Sequence, residues 1–126
     1  HLLLAEDNEL NSEIATTLLE EQGASITAVE NGRLALEAIQ NAAPRTYDAI
    51  LMDVMMPEMN GLEATRCIRA FEGKGPGEGT PIIAMTANVF ADDVKACLDA
   101  GMNSHVGKPL DMKVLIGEIL KYTNAR

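Results

Sequence analysis

Five short apolar runs alternate with longer segments of helical spacing, and this alternation constrains the chain most. The runs are Leu2–Ala5, Ser25–Val29, Tyr47–Met52, Pro81–Met85 and Ser104–Val106. Between them Leu10, Ile14, Leu18 and Leu19 recur at helical spacing up to Gly23. After the Asn31-Gly32 turn, Leu34, Ala35, Ala38 and Ile39 form a second stripe. Leu62–Phe71 reads as a helix with Ala64, Ile68 and Phe71 as candidate buried positions. Phe90–Ala100 reads as another, stopped by Gly101, and Asp111 caps a last one through Tyr122. A strand–helix unit repeated with short links implies parallel strands joined by helical crossovers, with helices on both faces of one sheet. The unbroken apolar centre Ala49-Ile50-Leu51-Met52 suits a strand covered on both sides. The expected class is therefore α/β, a doubly wound five-stranded parallel sheet in a three-layer sandwich.

The 126 residues fit one domain, spanning 1–126, with no internal sequence repeat, second domain or linker. The glycine-rich loop Gly73–Gly79 is expected far from the acidic strand ends and neutral in effect. Ten Lys+Arg stand against nineteen Asp+Glu, a formal net charge of −9. That balance offers no basic stripe for phosphates, and the few aromatics, without a Trp, weaken any base-stacking surface. Cys67 and Cys97 lie in no CxxC or Cys/His cluster and read as free thiols. The start, acidic from Glu6-Asp7 after five residues, does not read as a leader peptide, and no apolar run approaches the ~20 residues of a membrane span. The start on an apolar strand without Met reads as a segment cut from a longer chain.

In an open α/β sheet the functional site lies beyond the carboxyl ends of the strands. The first run ends in Glu6-Asp7, the third in Asp53, the fourth in Thr86 and the fifth near Lys108. Three carboxylates converging on one crevice repel each other and call for a cation. Hard oxygen donors without Cys or clustered His select Mg²⁺ over Zn²⁺. A carboxylate is also a competent nucleophile toward phosphorus. Lys108 supplies a compact positive charge and Thr86 a hydrogen bond for phosphoryl oxygens. The set suits phosphoryl transfer to Asp53, with positioning and charge neutralisation carrying the catalysis. Taken singly, each residue has a plainer role: Glu6-Asp7 as a helix cap, Asp53 and Lys108 as loop residues, Thr86 as a β-prone residue.

Leu3-Leu4-Ala5-Glu6-Asp7-Asn8, Ile50 through Gly61, Pro81 through Ala87 and Gly107-Lys108-Pro109 together resemble receiver domains of two-component response regulators. The likeness covers essentially the whole chain. It implies a flavodoxin-like sheet of order 2-1-3-4-5 and an acyl-phosphate site. Asp53 would be the phosphoacceptor. Glu6, Asp7 and Asp53, with the backbone carbonyl of Met55, would hold Mg²⁺, with Mn²⁺ as an alternative. Lys108 would pair with Asp53, Thr86 would be the switch hydroxyl, and Ala87 would keep the site open. Met55 and Asn88 would tune acyl-phosphate lifetime, and Lys108-Pro109 would be joined by a cis peptide. His105 stands where a switch Tyr or Phe is frequent; it is either packed on the fifth strand or a rotamer switch coupled to Thr86. The first acid is Glu6 where many members carry Asp, and Asn60 replaces a frequent Asp.

The string Gly101 through Leu110 is similar to receivers fused to hybrid sensor histidine kinases. The resemblance then implies a histidine kinase and a histidine phosphotransfer domain as partners, with no nucleic acid or membrane bound by this domain. It implies a cytoplasmic location, with a parent kinase anchored in the inner membrane. The helix from Phe90, the fifth strand and the last helix would form the output face. Four other readings compete. A stand-alone regulator, or a receiver used only as an unphosphorylated interaction module, would keep the fold. An aspartate-nucleophile phosphatase of the haloacid dehalogenase type needs an acid two residues after the nucleophile, where Met55 stands. An FMN binder needs a phosphate-cradling first loop, but Glu6-Asp7-Asn8-Glu9 repels phosphate.

Overall fold

The computed structural model describes residues 1–43, 46–56, 59–75, 78–86, 91–108 and 111–123. The order of elements is β1 (Leu2–Ala5), α1 (Glu9–Glu21), β2 (Ile26–Val29), α2 (Gly32–Asn41), β3 (Ala49–Asp53), α3 (Gly61–Glu72), β4 (Ile82–Thr86), α4 (Ala91–Ala100), β5 (Ser104–Gly107) and α5 (Met112–Thr123). The strands form one sheet of order β2-β1-β3-β4-β5, all parallel. This is the expected doubly wound architecture. Tyr47 and Asp48 lie before β3, whose range extends instead to Asp53.

Alternation along the strands divides the core into two layers. Leu3, Ala5, Ile50, Met52, Ile82 and Ala84 face α2, α3 and α4, meeting Ala35, Ile39, Ala64, Ile68 and Cys97. Leu4, Leu51, Ile83, Met85 and Val106 face α1 and α5, meeting Ala15, Leu19, Leu115 and Ile119. β1, β3 and β4 are buried throughout, the pattern of central strands covered on both sides.

Two apolar stripes behave differently from their sequence reading. On α1 the buried residues are Ala15 and Leu19, while Leu10, Ile14 and Leu18 are 63%, 50% and 37% exposed. Ala15 and Leu19 already meet the sheet, so the large residues on the neighbouring stripe turn outward. On α3 Ala64 and Ile68 are buried as expected, but Phe71 is 53% exposed. Phe71 sits three residues past Ile68 in the last turn, where Arg69 and Glu72 take the inward positions.

At the strands' amino-terminal end, Arg69 organises a polar hub. Its Nε donates to the Gly101 carbonyl at 2.9 Å, Nη1 to the Thr80 carbonyl at 2.8 Å and Nη2 to Asn103 Oδ1 at 2.8 Å. Nη1 also pairs with Glu72 Oε1 at 3.1 Å, and Glu72 Oε2 accepts from the Thr80 hydroxyl at 2.6 Å. Gly101, at φ 109°, lies so close that a Cβ there would stand 3.0 Å from Arg69 Cγ. A Cβ on Gly79 would stand 2.5 Å from Arg69 Nη1, so the end of the glycine-rich loop is packed against this hub.

Candidate phosphoacceptor site

The site forms where β1, β3, β4 and β5 end. Asn8 caps α1, its side chain accepting from the Asn11 N–H at 3.0 Å. This frees Glu6 from capping; instead its Oε1 accepts from the Asn8 N–H at 3.1 Å. Asn60 caps α3 in the same way, accepting from the Glu63 N–H at 2.9 Å. Gly61 then lets the helix start against the acid strand: a Cβ there would collide with the Asp53 carbonyl. Asn31 caps α2, accepting from the Leu34 N–H at 2.8 Å.

Glu6 and Asp53 are nearly closed off, 5% and 4% exposed, and Asp7 is exposed. Carboxylate oxygens of Glu6, Asp7 and Asp53 lie within 4.8 Å of one another. Lys108 Nζ reaches Asp53 Oδ2 at 2.9 Å and Glu6 Oε2 at 3.3 Å. The other oxygen of Asp53, Oδ1, accepts from the Met55 N–H at 3.3 Å. The Lys108 N–H donates to the Thr86 carbonyl at 2.8 Å, tying the end of β5 to β4. Asp53 is level with Met85 in the sheet, and Thr86 is one step further, buried at the lip.

Burial pushes the Glu6 carboxyl above its ordinary value of 4.5; the negative Asp53 adds to this, and the Asn8 N–H and Lys108 only partly offset it. For Lys108, burial alone would lower the ammonium's pKa. The hydrogen bond and charge of Asp53, with those of Glu6, outweigh it and raise the group above 10.5. The acids thus hold one cation and remain crowded, and an all-oxygen donor set within reach of a single ion fits Mg²⁺.

A cavity of about 440 Å³ opens over these residues, bounded also by Met55, Leu62, Thr86 and, from α4, Asp93, Ala96 and Cys97. On the far side of the Lys108–Glu6 pair a groove of about 540 Å³ runs between α1 and α5, walled by Leu4, Ile14, Leu18, Met85 and Met112. His105 is half-buried and level with Ala84. By strand alternation it shares a sheet face with Thr86. Ala87, Asn88, Phe90 and Pro109, and with Pro109 the expected cis peptide, lie outside the described residues.

The structure thus brings together Glu6, Asp7, Asp53, Thr86, Lys108 and the Met55 backbone, and keeps His105 two residues back from the level of Thr86. Sequence reasoning did not single out Asp93 or the Arg69 hub. Asp93 sits at a helix start instead of a strand end, and nothing in its spacing marks it. The hub was signalled only by an arginine placed among the apolar positions of α3.

This fold and site match known proteins. The response regulator receiver domain model matches residues 2–120. The chain is 41% identical over 140 aligned positions to "Probable histidine kinase 1" of Oryza sativa subsp. indica, covering 89% of this chain and 14% of that protein. The crystal structure of a receiver domain from a Pseudomonas aeruginosa PAO1 sensor histidine kinase, with a magnesium ion in its active-site cleft, superposes with a TM-score of 0.84. It is 36% identical, covering 98% of this chain and 96% of that one. The receiver domain of Saccharomyces cerevisiae Ssk1, crystallised with the histidine phosphotransfer signaling protein Ypd1, gives 0.87 at 26% identity, covering 98% and 88%. The chain belongs to the response regulator receiver domain family, the phosphoacceptor class of two-component signalling. It spans only 14% or less of the length of the curated relatives it matches. Among the described residues no helix is long and apolar enough to cross a membrane.

Proposed function

We propose that Asp53 accepts a phosphoryl group from a phosphohistidine and that the domain works within a phosphorelay as part of a longer histidine kinase. The observation that carries this is the 2.9 Å pair between Lys108 and a nearly buried Asp53, inside a cluster of acids at the carboxyl edge of the sheet. Asp53 Oδ forms the new bond to phosphorus as the bond to the donor's imidazole nitrogen breaks. Lys108 moves from carboxylate to phosphoryl oxygen and neutralises it in place. Thr86, one step beyond Asp53 in the sheet, turns its hydroxyl to another phosphoryl oxygen and draws the following segment and α4 with it. Glu6, Asp7, Asp53 and the Met55 carbonyl would hold Mg²⁺ or, failing that, Mn²⁺. The bound ion supplies the remaining positive charge for the transferring group. His105, on the same face as Thr86, would follow that motion by changing rotamer.

The exposed Ile14 and Leu18 of α1 line the groove beside Lys108. A histidine phosphotransfer domain seated there would bring its histidine to the mouth of the pocket, and the Ypd1–Ssk1 receiver pairing supports such a partner. The location would be cytoplasmic, with any membrane anchor elsewhere in the parent chain.

The test is incubation with acetyl phosphate and Mg²⁺ followed by intact mass. Wild type should gain one base-labile phosphoryl group, lost with chelator. Equal labelling of Asp53→Asn would overturn the assignment, and no labelling of wild type would favour an unphosphorylated interaction module.

A further inference from the structure

Among the acids lining the acceptor cavity, Asp93 is the one that the metal cluster does not use. The cavity wall carries Glu6, Asp7, Asp53 and Asp93 against the single ammonium of Lys108. Mutual donor reach of 4.8 Å groups only the first three. Asp93 comes instead from the first turn of α4, is exposed, and forms no ion pair among the described residues. Its field is felt in the wall beneath: after burial, it is the second cause of the raised Cys97 thiol one helical turn on.

We propose that Asp93 is a specificity-determining residue for the phosphodonor, favouring donors whose leaving nitrogen carries a proton over donors whose leaving group departs as an anion. The inference rests on Asp53 being the acceptor. In an in-line displacement the entering and leaving atoms stand on opposite sides of phosphorus. Asp53 is at the nearly closed floor, so the leaving group points to the mouth, where Asp93 stands.

The phosphoryl group itself is the same whatever the donor, and its repulsion by Asp93 cancels when donors are compared. The leaving group does not cancel. With a phosphoimidazole protonated at its second nitrogen, the P–N bonding pair returns to nitrogen. The imidazole departs neutral, its ring positive until the bond has broken. A neighbouring carboxylate stabilises the positive charge that remains in the transition state relative to the free donor in water, so the gain is read in the second-order rate at donor concentrations well below saturation. With an acyl phosphate the P–O pair goes to the carboxylate oxygen, and negative charge builds up beside Asp93. For unit charges ~9 Å apart at an exposed, water-like mouth, each effect is at most about two-fold in rate, so the donor ratio changes about five-fold at low salt.

Acetyl phosphate and phosphoramidate test this directly, since the first leaves as acetate and the second, protonated on nitrogen, as neutral ammonia. Initial phosphorylation rates would be read by intact mass at low and high salt, with Mg²⁺ affinity measured by calorimetry. Asp93→Asn should raise the acetyl phosphate rate relative to the phosphoramidate rate about five-fold, with the change in ratio shrinking at high salt. Mg²⁺ affinity should fall only a few-fold at low salt and not at all at high salt, far less than the loss of a ligand would cause. Asp93→Glu should keep the wild-type ratio. Asp99→Asn removes the same charge from the exposed far end of α4 and should leave the ratio alone. Equal changes toward both donors, or the same shift in Asp99→Asn, would refute the proposal. If wild type takes phosphate from neither donor, or Asp53→Asn labels as fast, the acceptor assignment has failed and this inference falls with it.

Discussion

Replacing Arg69 by Met tests how much of this fold hangs on a polar hub remote from the acids. The side chain is 9% exposed and makes three hydrogen bonds to Gly101, Thr80 and Asn103 besides its pair with Glu72. Methionine fills much of the same volume, so the cost is polar. Two carbonyls lose their donor, and Glu72, only 14% exposed, keeps its charge without its cation. The Thr80 hydroxyl and N–H still donate to Glu72, and Asn103 Oδ1 still accepts from the Ile82 N–H. Breaking one side of a buried, hydrogen-bonded pair costs about 3–5 kcal/mol. That is a large share of the ~5–15 kcal/mol typical of a domain. For this chain length it corresponds to a fall in Tm of roughly 10–20 °C. Urea unfolding followed by circular dichroism would measure it in Arg69→Met, Glu72→Gln and the double variant. The double variant should recover about 1–3 kcal/mol relative to the sum of the singles, because the stranded carboxylate is gone. A loss below ~1 kcal/mol in Arg69→Met, or strict additivity, would refute the reasoning.

Two further perturbations address the site. Glu6 binds its proton more tightly folded than unfolded, so above 4.5 the native state carries more protons than the unfolded one. Unfolding free energy without Mg²⁺ should therefore fall as pH rises from 4.5 through the raised folded value, and Glu6→Gln should remove that fall in urea titrations. Gly61→Ala would drive a methyl into the Asp53 carbonyl and to 3.0 Å from Met52 Cγ. It should cost about 1–3 kcal/mol by thermal unfolding and slow acetyl phosphate labelling, because the acceptor's own backbone must shift. An unaltered labelling rate would show that Asp53 tolerates the move.

The strand ends were legible because each apolar run is short and stops abruptly at a chemically distinctive residue. Glu6, Asp53, Thr86 and Lys108 needed only the rule that a doubly wound sheet gathers such ends on one edge. The glycine-centred turns read well too, since Asn31-Gly32 and Asn60-Gly61 begin α2 and α3 with their asparagines as caps. Periodicity failed where it had to decide which side of a stripe meets the sheet. On α1 two adjacent stripes compete, and the one that carries Ala15 and Leu19 faces inward. On α3 spacing alone carried Phe71 inward, but the last turn packs through Arg69 and Glu72 instead. Arg69 escaped notice because, Glu72 apart, a charged residue on a buried helix face is explained by partners 11 to 34 residues away in sequence. Helical spacing cannot reveal such partners.

The Lys108–Glu6 pair stands as a party wall between two chambers, the acceptor cavity and the apolar groove between α1 and α5. Whatever enters the groove presses on the same ammonium that holds Asp53. A phosphoryl group on Asp53 that pulls Lys108 toward itself also reshapes the groove. Linkage then requires reciprocity: if phosphorylation changes the groove's affinity for an occupant, that occupant changes the equilibrium of phosphorylation by the same factor. A docked protein is on this account a thermodynamic participant in the state of Asp53 as well as its delivery vehicle.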